Sequence, residues 1–412
     1  MITAEIITIG DELLIGQVVE TNSAYIAREL DKIGISVYQI TSVSDERRHI
    51  LSALNDASRR VQLVLTTGGL GPTKDDITKE VFAEYTNDQL VFHGETLRQL
   101  EAMMASRGST LNALMIKQAE VPSRCTVIPN SAGTAPGMWF EKDGVVYIAM
   151  PGVPFEMKTM MENEVLPRLQ QKFVTGIILH RTLLVTGFPE SALALHIEEW
   201  EDNLPQNISL AYLPGSGMIR LRLSTSGAER QILETQVEAE LKKLRVLLGN
   251  HIVSENDETI EEIIARMLTE KGQTLAVAES CTGGNIAHLL TSISGSSAYF
   301  KGSVVAYANE IKEKILQVNP QDLQQFGAVS EQVVKQMAAN VRKLMVTDYG
   351  IATSGIAGPM GGTPDKPVGT MWIAVATAAQ TEARLLRYGN NRESNIQRTS
   401  TAALNLLREM MA

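Results

Sequence analysis

Thr66-Thr67-Gly68-Gly69-Leu70-Gly71-Pro72-Thr73-Lys74-Asp75-Asp76 decides the fold of the first third of the chain. An apolar run over residues 61–66 enters it and a helical stretch leaves it, so it reads as a strand, a glycine turn and a helix start. Residues 4–9 form a second short apolar run ended by glycine, and residues 35–43 a similar but more polar one. Between these runs, Ile26, Leu30 and Ile33, then Ile50, Leu51, Leu54 and Ala57, recur at helical spacing. Strands alternating with helices predict a parallel sheet covered on both faces. A further strand over 145–149 and a helix over 155–169 complete a doubly wound α/β domain spanning residues 1–169.

Outward from that domain the character changes. Residues 170–253 carry strand patterns at 177–186 and 218–225 and helical ones at 191–203 and 228–248, which predicts a small α+β unit. It holds no catalytic cluster, so its expected role is as linker or dimerisation domain. Residues 258–412 return to α/β. Ile260, Ile263, Ile264, Met267 and Leu268 make an apolar helical stripe, and strands are expected at 275–278, 303–307, 351–354 and 368–377.

The 412 residues include 37 Lys+Arg against 47 Asp+Glu, a formal net charge of −10, which disfavours direct nucleic-acid contact. Cys125 and Cys281 are far apart and match no metal-ribbon or disulfide spacing. With no apolar run long enough to span a bilayer and no signal-peptide pattern at the N-terminus, a cytoplasmic enzyme without membrane contact is expected.

Two segments carry chemistry. In the first, glycines 68, 69 and 71 let backbone N–H groups approach an oxyanion at a helix start. The third glycine of a dinucleotide fingerprint and the Lys-Ser/Thr of a P-loop are both missing. Asp75 and Asp76 beside such a cradle call for a cation between carboxylate and phosphate, unless they only cap the helix. Asp11 and Asp45 follow the first two strands and are candidates to converge with Asp76 at the carboxyl edge of the sheet.

In the second, Ala278-Glu-Ser-Cys-Thr-Gly-Gly284 joins a strand to a helix and puts the Ser280 hydroxyl near free helix-end amides. Ser280 reads as a nucleophile or as a helix cap, and Cys281 as a rival thiolate or a small packing residue. Lys312 follows the next strand, where a desolvated amine can take a serine proton. His288, two turns into the helix, reads as structural. Thr353-Ser354-Gly355 ends another strand with amides free for a phosphate, and Arg392 precedes the last helix, suited to a bidentate phosphate contact.

The segments Ile9–Gly16, Thr21-Asn22, Gly68–Asp76, Ser131–Gly137 and Met150–Met157 resemble the molybdopterin-binding fold, and the whole chain resembles the CinA family of competence/damage-inducible proteins. That resemblance implies a molybdopterin-binding-like N-terminal sheet hydrolysing ADP-ribose to AMP and ribose 5-phosphate, and a C-terminal CinA-type domain deamidating nicotinamide mononucleotide. For the first activity it implies Asp45 and Asp76 as catalytic residues and a divalent metal ion of unspecified identity on Asp11 and Asp76. Gly68, Gly69, Gly71 and Asn22 would bind substrate. For the second it implies a Ser280 nucleophile, a Lys312 base and an orienting Tyr307, with no cofactor. Gly283, Gly284, Ser354, Gly355 and Arg392 would bind substrate. Ser297, in a second serine motif that the family shares, is assigned to substrate positioning and is the alternative nucleophile. Leu70 and Asp75 stand where molybdopterin relatives carry Thr and Arg, which argues against an adenylyltransferase acting on pterin. A homodimer is the expected assembly. A non-catalytic nucleotide-binding adaptor in DNA uptake is the competing reading.

Overall fold

The computed structural model describes residues 2–106, 108–215 and 217–411. The chain is α/β and divides into two compact units, residues 1–179 with 225–235 and residues 180–224 with 236–412.

The first unit is built on β1 (Ile2–Ile9), β2 (Ile35–Val43), β3 (Leu63–Thr67), a small antiparallel pair β4 (Leu90–Phe92) and β5 (Glu120–Pro122), then β6 (Thr126–Ile128), β7 (Gly137–Lys142) and β8 (Val145–Met150). Its main sheet has the order β2-β1-β3-β8-β7-β6. β1 runs parallel to β2 and β3, and β3 parallel to β8, while β7 and β6 add an antiparallel edge. Alternation along the strands sends Ile7 and Val64 to one face, against Ile50, Leu54 and Phe82. Ile6 and Leu65 go to the other, against Ile26, Leu30 and Met157. Two helical layers on one sheet place the ends of β1, β2, β3 and β8 along a single edge.

The next strands, β9 (Ile177–Thr186), β10 (Ile208–Pro214), β11 (Met218–Gly227) and β12 (Ile252–Ser254), form a sheet of order β10-β11-β9-β12. It is accompanied by helices Glu190–Asp202 and Arg230–Leu248, joined where the Trp200 indole donates to Glu240 Oε2 at 2.9 Å.

The last sheet comprises β13 (Leu275–Glu279), β14 (Phe300–Val305), β15 (Tyr349–Gly355), β16 (Thr370–Ala376) and β17 (Thr381–Arg387), in the order β14-β13-β15-β16-β17. β13 is parallel to both β14 and β15, and β16 and β17 continue antiparallel. Helix Ile260–Lys271 opens with a capping box between Thr259 and Glu262, and its stripe of Ile260, Ile264 and Leu268 packs on Val277 and Ile351. The opposite face, through Ala276, Ala278 and Ala352, takes Val334, Met337 and Val341 of helix Glu331–Leu344. Strands β7, β10 and β17 escape the sequence reading: all three are antiparallel or mixed in burial, and none shows the continuous apolar run of a parallel core strand. Among the described residues no helix is long and apolar enough to cross a membrane.

Candidate active sites at two sheet edges

At the carboxyl edge of the first sheet lies a cavity of about 440 Å³ floored by the Gly68–Gly71 turn. Gly68 (φ 115°) and Gly69 (φ 65°) hold left-handed conformations, and a Cβ on either would strike Ile9 O or Thr78 Oγ1. Only glycine therefore lets the turn pack this closely on the end of β1 and on the following helix. Asp45, Asp75 and Asp76 line the cavity, as do Glu12 and Glu156. Asp11 is placed differently. Its backbone N–H donates to Asp45 Oδ2 at 3.0 Å and its Oδ1 accepts from Asp45 N at 3.4 Å, so it latches the loop after β1 to the loop after β2. Asp76 Oδ2 accepts from Thr73 N at 2.9 Å and from the Thr73 hydroxyl, folding the turn back on itself. Asn22 is buried and donates to Thr67 Oγ1 and Gly152 O, at 3.0 and 2.8 Å. It pins the loops after β3 and β8 together instead of facing the cavity.

Burial raises the pKa of Asp45, and the neighbouring charges of Asp11, Glu12 and Asp75 raise it further against the Asp11 amide that lowers it. Five carboxylates around one cradle of amides repel a phosphate unless a cation lies between. No group of three His, Cys, Asp or Glu converges on one point among the described residues, so these offer no complete cage. That pattern suits a hard cation held by one or two carboxylates with substrate oxygens completing its shell. Glu156, missed in the sequence, is fixed by Asn130 Nδ2 at 2.8 Å, whose own Oδ1 accepts from the Ala132 and Gly133 amides. Its only signal in the sequence is a carboxylate in the first turn of a helix that opens on Pro154.

At the carboxyl edge of the last sheet, the turn after β13 meets the turn after β14. Lys312 Nζ lies 3.1 Å from Ser280 Oγ, 2.7 Å from Ala306 O and 3.3 Å from Tyr307 O. Lys312 is 1% exposed, and burial lowers its pKa. A neutral amine has two N–H groups and one lone pair. In the neutral form the two N–H groups can meet the two carbonyls, which leaves the lone pair for the Ser280 proton.

The turn itself is held by a residue the sequence reading passed over. Glu279 is fully buried, and its carboxylate accepts from the amides of Gly284, Ile286 and Ala287 at 3.0, 3.1 and 2.9 Å. The helix-end amides expected to grip an oxyanion are thus occupied, and Gly283 N is turned to Ser280 O. Gly283 (φ 63°) and Gly284 (φ 102°) shape the turn. The amides of Cys281 and Thr282, directly after the serine, have no backbone partner among the described residues. Thr282 and Thr353 bridge their hydroxyls at 2.7 Å, tying the turn to β15.

Tyr307 and Arg392 meet each other: Arg392 Nη2 donates to the Tyr307 hydroxyl at 3.1 Å and Nη1 to Gly358 O at 3.0 Å. Both are exposed, at the rim of the Ser280 turn. Gly355 closes β15, with a Cβ there blocked by Met371. Ser354 departs from expectation. It is 1% exposed and its hydroxyl donates to Ala328 O at 2.7 Å, a bond inside the fold instead of a phosphate contact. Ser297 departs further. It sits on the short helix Ser296–Ala298 before β14, at the amino end of a strand parallel to β13, whereas Ser280 follows the carboxyl end of β13. The two serines therefore occupy opposite edges of the sheet. Cys281 packs with Ala357 and Met371, and burial pushes its thiol up to about 12, as a packing residue requires.

An acidic cradle on a doubly wound sheet, followed by a serine–lysine pair on a second α/β sheet, defines a two-site chain of the class that joins a molybdopterin-binding-type domain to a CinA-type domain. Residues 5–171 match the probable molybdopterin binding domain, residues 180–254 the damage-inducible protein CinA KH domain and residues 257–411 the CinA C-terminal domain. The chain belongs to the CinA family. It is 45% identical over 406 residues to a CinA-like protein of Flavobacterium psychrophilum, covering 98% of this chain and 97% of the relative. It is 46% identical over 410 residues to one of Cytophaga hutchinsonii, covering 100% and 98%. Among solved structures, a competence/damage inducible protein from Agrobacterium tumefaciens is 36% identical, with a TM-score of 0.37, covering 39% of this chain and 100% of its own.

Proposed function

We propose that the chain is a hydrolase whose C-terminal site cleaves the amide of nicotinamide mononucleotide, giving nicotinate mononucleotide and ammonia. The observation that carries this is the buried Lys312 amine 3.1 Å from Ser280 Oγ, with both remaining donor positions taken by carbonyls. Lys312 takes the Ser280 proton as Oγ attacks the carboxamide carbon, and returns it to the departing nitrogen. Water then attacks the acyl-serine, giving one proton to Lys312 and restoring the Ser280 hydroxyl. The Cys281 and Thr282 amides are the available oxyanion donors. Arg392, steadied by Tyr307, is the group that meets the 5′-phosphate. The substrate follows from family likeness joined to this geometry. Ammonia release by the full chain tests it, with Lys312→Arg as the variant that keeps charge and loses the base; release unaffected by Lys312→Arg removes the dyad.

The carboxylate-lined cavity supports a second activity, hydrolysis of ADP-ribose to AMP and ribose 5-phosphate. A bound divalent cation would supply charge neutralisation and water activation there. Asp45 and Asp76 are the residues that would hold it, with Asp11 positioning Asp45, and the Gly68–Gly71 amides bind the pyrophosphate. Small nucleotides, and not DNA, are the partners that these two sites fit, in line with the net charge of −10.

A further inference from the structure

A second cavity, of about 510 Å³, belongs to neither site. One wall comes from Gly187, Met218 and His251, around β9, β11 and β12; the other comes from β16, β17 and helix Arg392–Met411. Three arginines open onto it: Arg384, Arg398 and Arg408. Arg384 is neutralised by Glu382 at 2.7 Å and Glu409 at 2.6 Å. Arg408 gives its Nε to Asn405 Oδ1 at 2.9 Å and keeps only a distant Nη2 contact of 3.9 Å to Glu409. The Arg398 guanidinium carbon sits over the Tyr388 ring, 4.1 Å from its centroid, and among the described residues no carboxylate is within ion-pair reach of it. Three guanidinium groups thus face two carboxylates, and Arg398 carries the uncompensated charge. Its fork is fixed by stacking, which lowers the entropy lost on binding a planar anion.

Glu409, whose carboxylate is held by Arg384, lines the wall as well, and Met218, Ile373, Leu386 and Ala402 beside Thr401 and Asn405 make an apolar and neutral stretch of it. A volume of this size with an apolar surface and one fixed cation matches a small organic ligand, not a bare ion. We infer that this cavity binds a phosphomonoester carrying a flat organic body, of nucleoside monophosphate size, with its phosphate on Arg398 and Arg408. Leu386 and Tyr388 line the cavity and also pack on the cluster containing Cys281, next to Ser280, so the cavity is a neighbour of the second site with a separate set of contacts.

The Met218 methyl group gives a local readout that the other two sites do not move. In full-length protein labelled at methionine methyls, AMP should shift the Met218 resonance saturably, with adenosine and inorganic phosphate each binding at least about tenfold more weakly. Arg398→Gln should weaken the AMP titration about tenfold or more, and Ala402→Phe, which fills the space and keeps every charge, should abolish it. Circular dichroism establishes that both variants are folded. A Met218 resonance unmoved by millimolar AMP, or moved equally by adenosine, overturns the assignment. Inorganic phosphate as tight as AMP overturns the organic body.

Discussion

The two sheet edges solve opposite electrostatic problems. At the Ser280 edge one amine is buried among carbonyls, and the cost of charging it there is what suits Lys312 to act as a base. At the Gly68 edge five carboxylates from two loops and two short helices share a cavity, and a cation between them would relieve their repulsion. In the functional reading proposed above, the Ser280 site is assembled from the chain's own groups, whereas the Gly68 site is completed by a cation and its ligand. The same strand-turn-helix geometry serves both, so the sign of the buried charge, and not the fold, separates their chemistry.

Breaking the first side of this contrast should have the largest effect. Ser280→Ala and Lys312→Arg should each lower deamidation by about a thousandfold or more, as loss of a nucleophile or its base does, with the fold intact by circular dichroism. Retention of activity by either variant would end the contrast at its root. On the second side, Asp76→Ala should abolish ADP-ribose turnover, and a chelator should do the same to the unaltered chain while ammonia release continues. A parallel loss of both activities in chelator would mean that the sites do not differ as described.

A pH profile sharpens the comparison. Deamidation needs neutral Lys312, so kcat/KM should rise with pH through its pKa. Because burial lowers that pKa from the ordinary value of 10.5, the half-maximal rate should be reached below pH 10.5. A rate still climbing in proportion to hydroxide at pH 10.5 would place the amine at its solution value. Smaller still is the effect of the clamp. Glu279→Gln keeps the shape and loses charge-assisted bonds to three amides, and should cost about 1–3 kcal/mol of stability, read as a lower denaturation midpoint. Ser297→Ala, at the far edge, should leave deamidation unchanged within about twofold.

Sequence spacing made much of this legible. The strand ends, the glycine turns and the pairing of Ser280 with Lys312 follow from two parallel neighbours whose loops must share an edge. The same reasoning could not separate Ser280 from Ser297, because local pattern does not say which end of a strand a serine faces until chain direction in the sheet is known. Nor could it detect Glu279. A glutamate at the end of a strand looks like a surface residue until three amides from the following helix turn onto it.

What the sequence determined by itself is therefore local and periodic: which stretches are strands, where glycine permits left-handed turns, and which loops carry acids or a hydroxyl. What only the tertiary structure decided is the environment of each group. Ser354 spends its proton on Ala328, Asn22 joins two loops, and Asp11 latches Asp45 instead of lining the cavity, each through a partner at least 26 positions away. Burial and long-range hydrogen bonds set what a polar side chain can do, and both come from segments that only folding brings together.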